Sequence, residues 1–371
     1  MNRATDTPGV RAPLLVRLQK ERSAADIVVL RALPGLGDLL CAVPALRALR
    51  AAAPHARITL LGLELVRALA VRYRRLIDRF EAVPGFPGLP EQEVDEEALA
   101  TFLTAMRARR PDLALQLHGD GRVSNRLVLQ LGAAHAAGSY PPGEAPPGEY
   151  FLPSEEGPEI RRMLRPVLAL GAPDMGDHLE FPLLPSDEAL GRGLLRAWGL
   201  PRRGYVCVQP GASRSDRRWG VSGFAAVADA HAAEGQHIAL TGTAAEVGLT
   251  AAVRRRMQAP AADLGGRTSV GGLAALFAGA GLVVCNDTGA AHLAAALGTP
   301  SVVIFAPGAD VVRWAPLDGE RHVALAGHSA PDGSRPLPAF EARQHAVSVP
   351  DVVEAARRLL RHRYREADLR G

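Results

Sequence analysis

The sequence predicts an α/β protein built from two halves, each with a parallel β-sheet. Short apolar runs without an alternating pattern recur along the chain, as is typical of strands covered on both faces. Longer helical patterns lie between these runs, and this alternation favours parallel sheets with crossover helices. The chain has 371 residues, which exceeds the length that one hydrophobic core usually supports.

The predicted elements define the two halves. Apolar runs predict strands at residues 26–31, 57–62, 112–117, 204–209, 236–241, 282–286 and 300–305. Helical patterns occur at residues 38–53, 93–110, 122–131, 159–170, 221–234, 244–258, 271–278, 288–297 and 350–362. Two Rossmann-like halves suggest a ligand cleft between them, at the carboxyl ends of the strands.

The domain boundary is predicted between two loop-rich stretches. Residues 140–158 are dense in Pro, Gly and Glu and predict a loop, which would serve either as a lid over a substrate or as a passive linker. A second loop-rich stretch covers residues 171–186. We therefore assign residues 1–185 to an N-terminal domain and 186–371 to a C-terminal domain. The last helix either stays with the C-terminal domain or packs back on the N-terminal one.

Composition excludes several classes of protein. With 47% hydrophobic and 22% charged residues, the chain resembles ordinary soluble globular proteins. No stretch approaches the ~20 apolar residues of a membrane span, and the first residues lack the apolar run of a signal peptide, so we expect a cytoplasmic protein. The cysteines Cys41, Cys207 and Cys285 are far apart beside apolar runs, so we expect buried thiols and neither disulfides nor a zinc site.

The net charge of +4 favours anionic small ligands or an anionic membrane surface. Aromatic residues make up only 5% and no basic run is interleaved with them, which argues against nucleic-acid binding. Clustered arginines predict either a peripheral contact with the inner face of the cytoplasmic membrane or a solvated surface. They are Arg67, Arg72, Arg74, Arg75, Arg79, Arg107, Arg109 and Arg110.

The first motif that could carry chemistry is RALPGLGDLL, residues 31–40. Gly35 and Gly37 permit a tight turn after a strand, and Asp38 then stands at the start of a helix. Asp38 is either a helix N-cap or a functional carboxylate at the cleft. A dinucleotide fingerprint is the weaker interpretation, because GLGDLL lacks the third glycine of GxGxxG.

The second motif is QPGASRSDRRW, residues 209–219, which lies between a strand and a helix. Gly211 and Ser213 suit a loop whose amides face a ligand. Arg217 and Arg218 crowd the same loop together with Arg214, and guanidinium groups match phosphate oxygens in charge and geometry. The alternative is a solvated basic loop.

A third motif, TGTAAE, ends at Glu246. This carboxylate either accepts two ribose hydroxyls or favours the dipole of the helix that follows.

The fourth motif, VVCNDTGAAHL at residues 283–293, is the most informative. A buried strand leads directly into Asp287, Thr288 and Gly289 and then into an Ala-rich helix. Free amides at Thr288 and Gly289 would face an anion at the helix N-terminus. His292 follows within the first turns and either points back to the same site or belongs to the core.

Together the four motifs resemble glycosyltransferase family 9, which includes the ADP-heptose:lipopolysaccharide heptosyltransferases. GLGDLLCAVPALRAL, QPGAS…RRW, TGTAAE and NDTGAAHLAAALGTPSVVIF occur in the family's order. LGGRTSVGGLAALF and DLALQLHG add two further similar segments, so the resemblance covers about residues 26–316. It implies a GT-B fold, with two Rossmann-like domains facing each other across a cleft.

The resemblance also implies the activity and the substrates. It implies inverting, metal-independent transfer of a sugar, heptose in the first instance, from a nucleotide-sugar such as ADP-heptose to a lipopolysaccharide-type or other glycan acceptor. No cofactor beyond the donor and no metal ion is implied. The N-terminal half would bind the glycan or glycolipid acceptor, and the C-terminal half the nucleotide-sugar.

By the same resemblance, each motif residue takes a role. Asp38 is the general base, with Gly37 and His118 on the acceptor side. The donor-binding residues implied are Ser213, Arg217, Arg218, Glu246, Asp287, Thr288, Gly289 and His292. Arg217 would hold the phosphates and Glu246 the ribose, while the amides of Thr288 and Gly289 would hold the pyrophosphate.

This sequence departs from the family's pattern at three places. Arg217 stands where the family has Lys, Gly-Ala-Ala follows Thr288 where Gly-Pro-Met is common, and His118 stands where Gln is frequent. Two other functions stay open. A non-catalytic nucleotide-sugar-binding member would not depend on Asp38, and a nucleotide-sugar epimerase would alter the donor without an acceptor.

Overall fold

The computed structural model describes residues 13–21, 24–327 and 347–368, with side chains described as far as residue 362. The chain divides into two compact units. The first comprises Met1–Pro34, Ala42–Glu156 and Ile160–Asp177, and the second comprises Gly35–Cys41, Gly157–Glu159 and His178–Gly371. Two short segments, Gly35–Cys41 and Gly157–Glu159, thus belong to the second unit although their neighbours along the chain belong to the first.

The first unit contains a parallel sheet of six strands in the order β3-β2-β1-β4-β5-β6. Its strands are β1 (Asp26–Leu30), β2 (Arg57–Gly62), β3 (Arg79–Ala82), β4 (Leu113–Gln116), β5 (His135–Tyr140) and β6 (Tyr150–Pro153). The helices up to residue 169 are α1 (Leu14–Glu21), α2 (Leu36–Ala52), α3 (Arg67–Ala70), α4 (Glu96–Arg109), α5 (Ser124–Val128) and α6 (Glu159–Ala169). Two 3₁₀ turns, Glu64–Val66 and Val71–Tyr73, flank α3.

The second unit repeats this arrangement with the strand order β12-β11-β10-β7-β8-β9, again all parallel. Its strands are β7 (Tyr205–Gln209), β8 (His237–Leu240), β9 (Ala262–Asp263), β10 (Leu282–Asn286), β11 (Ser301–Phe305) and β12 (His322–Ala326). Its helices are α7 (Pro185–Ala197), α8 (Val221–Ala233), α9 (Val247–Arg256), α10 (Val270–Gly279), α11 (Gly289–Ala296), α12 (Val311–Trp314) and α13 (Val349–Asp368). Two 3₁₀ turns cover Ser215–Arg217 and Ala244–Glu246.

The predicted fold class, α/β with two Rossmann-like halves, is confirmed. The central strands β1, β4, β7 and β10 are buried along their whole length, which explains why their sequences show no alternation. One core lies beneath each sheet. Val352 and Ala356 of α13 belong to the core of the second unit.

Several elements differ from the prediction at the edges of the sheets. Residues 140–158 are not loop throughout, because β6 lies within them and pairs with β5 through Gly138 and Phe151. Short edge strands such as β3, β6 and β9 have too few apolar residues to give a periodic pattern. Helix α5 ends at Val128 and not at residue 131, because the last turn tightens to bonds from Gln130 N–H to Leu127 and from Leu131 N–H to Val128.

Two of the clustered arginines are engaged in ion pairs within the protein. Arg109 binds the Asp26 carboxylate through two nitrogens and Glu81 through a third contact of 2.9 Å. Arg67 forms a bidentate pair with Glu64. A membrane contact therefore stays a prediction that rests on the other arginines.

The described residues include no helix that is both long and apolar enough to cross a membrane. Cys41, Cys207 and Cys285 are buried, as the sequence predicts. Burial raises the pKa of the Cys207 and Cys285 thiols.

We predict that His322 makes the fold sensitive to acid. Its Nδ1 lies 2.9 Å from the hydroxyl of buried Ser301 across β11 and β12, and burial lowers the pKa of His322 from 6.5 to about 4. The fold is therefore stabilised by the neutral ring at pH above 6.5, and this stabilisation is lost as the pH falls toward 4. Between pH 7 and 5 the loss should be about 1–2 kcal/mol through this residue.

Urea unfolding of the parent and of His322→Asn at both pH values tests this. The variant should lose less stability on acidification than the parent. His237 is exposed at the start of β8, so His237→Asn supplies the control. Equal losses in the parent and in His322→Asn would contradict the prediction.

Candidate functional site

The strand order of each sheet defines where a ligand can bind. In the second sheet the connections run in opposite directions from the central pair β7 and β10, and in such sheets ligands bind outside the carboxyl ends of that pair. Gln209 at the end of β7 lies beside Cys285 near the end of β10. The loop after Gln209 and the segment after Asn286 therefore leave the sheet side by side, and the second and fourth motifs meet there.

Asn286 holds these two segments together. Its side chain is fully buried, and its Nδ2 donates to the carbonyls of Pro210 (2.9 Å) and Gly211 (3.2 Å). Its Oδ1 accepts the backbone N–H of Trp219 at 2.9 Å. One amide thus binds both ends of the arginine-containing loop 210–219 to the end of β10. We did not single out Asn286 from the sequence, although it stands next to Asp287 in the fourth motif.

Helix α11 begins at Gly289 and presents free backbone donors. Thr288 is its N-cap, with an extended backbone and a hydroxyl 3.3 Å from the N–H of Ala290. Within the described part of the chain, the N–H groups of Thr288 and Gly289 have no acceptor. A helix N-terminus with free N–H groups attracts anions, so this position suits a phosphate.

Asp287 is a buried carboxyl, 8% exposed, between this helix start and the arginine loop. Burial raises the pKa of Asp287 to about 6, the charge of Arg217 opposes this rise, and the charge of Asp310 adds to it. The protonated and the ionised form of the Asp287 side chain are therefore both populated near pH 6. The effect of Arg217 on this pKa also shows that its guanidinium lies within electrostatic range of Asp287.

The predicted basic residues of the loop have different partners. Ser213, Arg217 and Arg218 are exposed. Arg218 donates twice to the carbonyl of Ala212, at 3.0 and 2.8 Å, so its guanidinium braces the loop. Arg214 pairs with Asp216 at 2.6 Å. Arg217 forms no ion pair with any described residue, which leaves its charge available to a ligand.

Glu246 lies at the carboxyl end of β8, next to the same loop. Its Oε2 accepts the N–H of Thr243 at 2.8 Å, and Gln209 Nε2 lies 3.5 Å from it. A Cβ at position 211 would collide with the Glu246 carboxylate, so a side chain there would displace that carboxylate from the loop. Glu246 thus both caps its 3₁₀ turn and faces the loop. Its interaction with the start of the following helix therefore does not exclude a contact with ribose hydroxyls.

His292 is buried in α11 and remains neutral. Burial lowers its pKa to about 4, against the charge of Glu159. Its ring packs on Gly37, where a Cβ would lie 2.5 Å from Cδ2. Cys41 Sγ lies 3.9 Å from Nδ1, and the Trp314 ring stands edge-on at a centroid distance of 6.0 Å.

Asp38 comes into this site because its segment, Gly35–Cys41, belongs to the second unit. Leu36 and Gly37 lie directly over Gly289, within 3.1–3.2 Å of where its Cβ would be. Helix α2 begins at Leu36, so Asp38 is the third helical residue and not the N-cap. Its carboxylate folds over Gly35, where a Cβ would collide with Oδ2, and it is half-buried. The structure thus joins the first and fourth motifs.

His118 lies in the first unit, after β4. It is 5% exposed, its Nδ1 accepts the N–H of Ala32 at 3.2 Å, and its Nε2 faces Glu91 at 3.4 Å. Both nitrogens therefore have protein partners. The carbonyl of His118 is bound by the side chains of Gln116 and Ser124. His118 thus orders the carboxyl ends of β1 and β4.

The sequence analysis missed three residues around His292. Trp314 contacts its ring, Arg313 lies on the indole, and buried Glu159 pairs with Arg313. No motif marks them, since they come from α12 and from the start of α6. The described residues contain no group of three or more His, Cys, Asp or Glu side chains that could hold a metal ion.

Comparison with known proteins agrees with the predicted family. Residues 183–335 match the model of glycosyltransferase family 9 (heptosyltransferase). No curated protein matches the sequence. The structure of the glycosyl transferase family 9 protein from Veillonella parvula is 20% identical, with a TM-score of 0.74, and the alignment covers 91% of this chain and 97% of that one.

Two Escherichia coli structures are also similar. ADP-heptose lps heptosyltransferase II is 19% identical, with a TM-score of 0.66, over 91% of this chain and 99% of that one. Heptosyltransferase WaaC with ADP is 17% identical, with a TM-score of 0.55, over 86% of this chain and 98% of that one. The resemblance to family 9 is thus supported over residues 183–335, and the structural likeness shows that this chain has the same fold as these proteins.

We predict that Asn286 is required for the stability of the site. Asn286→Ala leaves two buried carbonyls and one N–H without their partner, so the free energy of unfolding should fall by about 1–3 kcal/mol. Asn286→Asp should be worse, because it places a carboxyl oxygen against the carbonyls of Pro210 and Gly211.

Asn125 supplies the matched control for this measurement by urea unfolding. It is also buried, yet its Nδ2 donates only to Ser139 and its Oδ1 has no partner. Asn125→Ala should therefore be milder than Asn286→Ala. An equal or smaller effect at Asn286 would show that it does not hold the loop.

Proposed function

We propose, from the match of residues 183–335 to glycosyltransferase family 9, that this chain is an inverting, metal-independent glycosyltransferase. Its donor would be a nucleotide-sugar, ADP-heptose in the first instance, and its acceptor a lipopolysaccharide-type or other glycan. The observation that carries this proposal is the packing of the Asp38 segment on the start of α11. It brings the segment that carries Asp38 onto Gly289, at the helix start where the amides of Thr288 and Gly289 are free, within one compact unit.

The donor phosphates would bind between the start of α11 and loop 210–219. The free amides of Thr288 and Gly289 supply two donors, and Arg217 supplies a charge that no described residue neutralises. Charge-assisted hydrogen bonds from such groups are the strong ones. Glu246, at the far side of the same loop, would accept the ribose hydroxyls. This arrangement resembles other Rossmann-like sheets, where the nucleotide lies across the switch point.

Asp38 would act as the general base. As the acceptor oxygen attacks the anomeric carbon, its proton passes to the Asp38 carboxylate, and a new C–O bond forms. The bond from the anomeric carbon to the phosphate oxygen breaks, and the nucleotide diphosphate leaves with the electron pair. Attack from the face opposite the leaving group inverts the anomeric carbon. The transition state has oxocarbenium character, as in glycoside hydrolysis.

The charge that develops on the leaving diphosphate would be stabilised by protein groups. Preorganised N–H donors and a cation aimed at a developing charge are the usual means for such stabilisation. The α11 amides and Arg217 meet this requirement without a metal ion. Buried His292 stays neutral because its pKa is lowered to about 4, so it would contribute hydrogen bonding and shape but no positive charge.

Titration calorimetry in the presence of EDTA tests the proposal. ADP and ADP-heptose should bind with micromolar affinity, and sugars carried on UDP and GDP should bind more weakly. Failure of every nucleotide-sugar to bind would remove the transferase assignment. Asp38→Asn should then slow donor cleavage by about 10²–10⁴-fold while donor affinity stays unchanged.

A control for Asp38→Asn is Asp351→Asn, since Asp351 is also an acid in the first turn of a helix, α13, although it is exposed where Asp38 is half-buried. This variant should cleave donor as the parent does. Full activity of Asp38→Asn would show that Asp38 is not the general base, whereas absence of donor cleavage in the parent would favour a non-catalytic or epimerase function.

We also predict that donor binding responds to the protonation of Asp287. An anionic diphosphate beside this carboxyl favours its neutral form, so nucleotide affinity should rise as the pH falls through the pKa of about 6. Between pH 7.5 and 5.5 the gain should be about tenfold. Asp287→Asn should show a flatter profile, since only the titration of the nucleotide remains. Identical profiles would mean that Asp287 binds the donor in its ionised form.

A further inference from the structure

A continuous row of packed side chains leads away from the Asp38 segment and ends at a buried carboxylate. It begins with Gly37 on the ring of His292, continues through Trp314 and Arg313, and ends at Glu159. All five residues belong to the second unit, and Glu159 enters it in the three-residue segment Gly157–Glu159. Trp314, Arg313 and Glu159 belong to none of the four motifs and have no part in the proposed mechanism.

The contact between Glu159 and Arg313 is close and buried. Glu159 Oε2 accepts Nε of Arg313 at 2.9 Å, and the Glu159 side chain is 0% exposed. A buried carboxylate without a cation is strongly unfavourable, so Glu159 constrains where the guanidinium of Arg313 can lie. Asp310 adds a second constraint, because its carboxylate caps α12 through the N–H of Arg313 at 3.0 Å.

This fixed guanidinium orients the indole beside it. The Arg313 guanidinium lies 4.9 Å from the centroid of the Trp314 ring, within the range of a cation–π contact. The indole also meets the His292 ring at an interplanar angle of 70°, the edge-to-face arrangement that aromatic pairs prefer. Trp314 is thus held from two sides and is not a freely rotating surface residue.

Trp314 nevertheless keeps part of its ring exposed. It stands at the carboxyl edge of the sheet, after β11, and contacts the histidine that the donor sugar would meet. The C–H groups on one face of a sugar ring are apolar and slightly positive, so they pack well on the electron-rich face of an indole. Ligand sites commonly combine such an aromatic wall with a few polar groups.

We propose that Trp314 is a wall of the donor-sugar pocket that selects the transferred sugar, and that Glu159 positions it through Arg313. The inference rests on the proposed function and deepens it, since it assigns a sugar contact to α12. It assigns the sugar and the nucleotide to different parts of the site, because the nucleotide would bind at loop 210–219 and the start of α11. A change at Trp314 should therefore affect sugar recognition and leave nucleotide recognition intact.

Calorimetric titration of Trp314 variants with ADP and with ADP-heptose tests whether Trp314 contacts the donor sugar. Trp314→Leu should bind ADP within about twofold of the parent, while its affinity for ADP-heptose falls about tenfold. Trp314→Phe keeps an aromatic face and should restore most of the affinity. The matched control is Trp198→Leu, since Trp198 also carries an arginine over its ring, Arg267 at 5.8 Å, but lies at the end of α7.

The same titrations test Glu159 as a positioning residue. Glu159→Gln keeps an oxygen for Arg313 Nε and should lose less ADP-heptose affinity than Glu159→Ala, with ADP affinity again unchanged. General destabilisation would lower the affinities for ADP and ADP-heptose alike. A loss of ADP-heptose affinity alone therefore distinguishes a positioning role of Glu159 from a purely structural one. Thermal unfolding of each variant confirms that the compared proteins are folded.

The outcomes separate this inference from the function on which it rests. In one outcome the parent binds ADP-heptose, while Trp314→Leu changes the affinities for ADP and ADP-heptose equally or not at all. Trp314 then does not contact the donor sugar, and the glycosyltransferase proposal stands. If Glu159→Gln and Glu159→Ala bind both ligands as the parent does, the positioning role is wrong. If the parent binds no nucleotide-sugar, the proposed function fails, and the sugar wall fails with it.

Discussion

The candidate site depends on the buried amide of Asn286. The two ends of loop 210–219 are fixed to the sheet by the three hydrogen bonds that this one side chain makes. Because Asn286 is the last residue of β10, the same backbone that fixes the loop continues directly into Asp287 and the start of α11. The arginine loop and the helix amides are therefore held in register by one residue in the sheet, and the buried amide must keep all its partners to do so.

Close backbone approach completes the site. Gly211 allows the Glu246 carboxylate to reach the loop, Gly37 allows the ring of His292 to reach α2, and Gly289 lies under Leu36. At each of these positions a side chain would fill the space that a neighbouring functional group now occupies. These glycines of the first, second and fourth motifs are thus explained by packing between segments, and less by turns, since none of the three has a positive φ.

Burial then sets the charge of each group. His292 is neutral because it is enclosed, and Asp287 is half-protonated near pH 6 because burial outweighs the attraction of Arg217. Arg217 is exposed and Asp38 is half-buried, so both are more accessible to solvent than these two groups. The first and fourth motifs therefore supply different chemistry from one small region, in which local solvent exposure decides the protonation of each side chain.

The sequence by itself determined the alternation of buried strands and helices, the two Rossmann-like halves and the family motifs, because apolar periodicity and glycine positions are local properties of the chain. It also marked Asp38, Arg217 and Asp287 as candidates. Only the tertiary structure decided that the segment Gly35–Cys41 packs on α11. It also decided that Arg109 and Arg218 bind groups of the protein and not a ligand. It placed Glu159, Arg313 and Trp314 in a row that ends at the ring of His292. Such contacts join residues far apart in the sequence, as for Cys41 and His292, which are 251 positions apart. A local pattern carries no record of them because they are selected by the packing of whole elements.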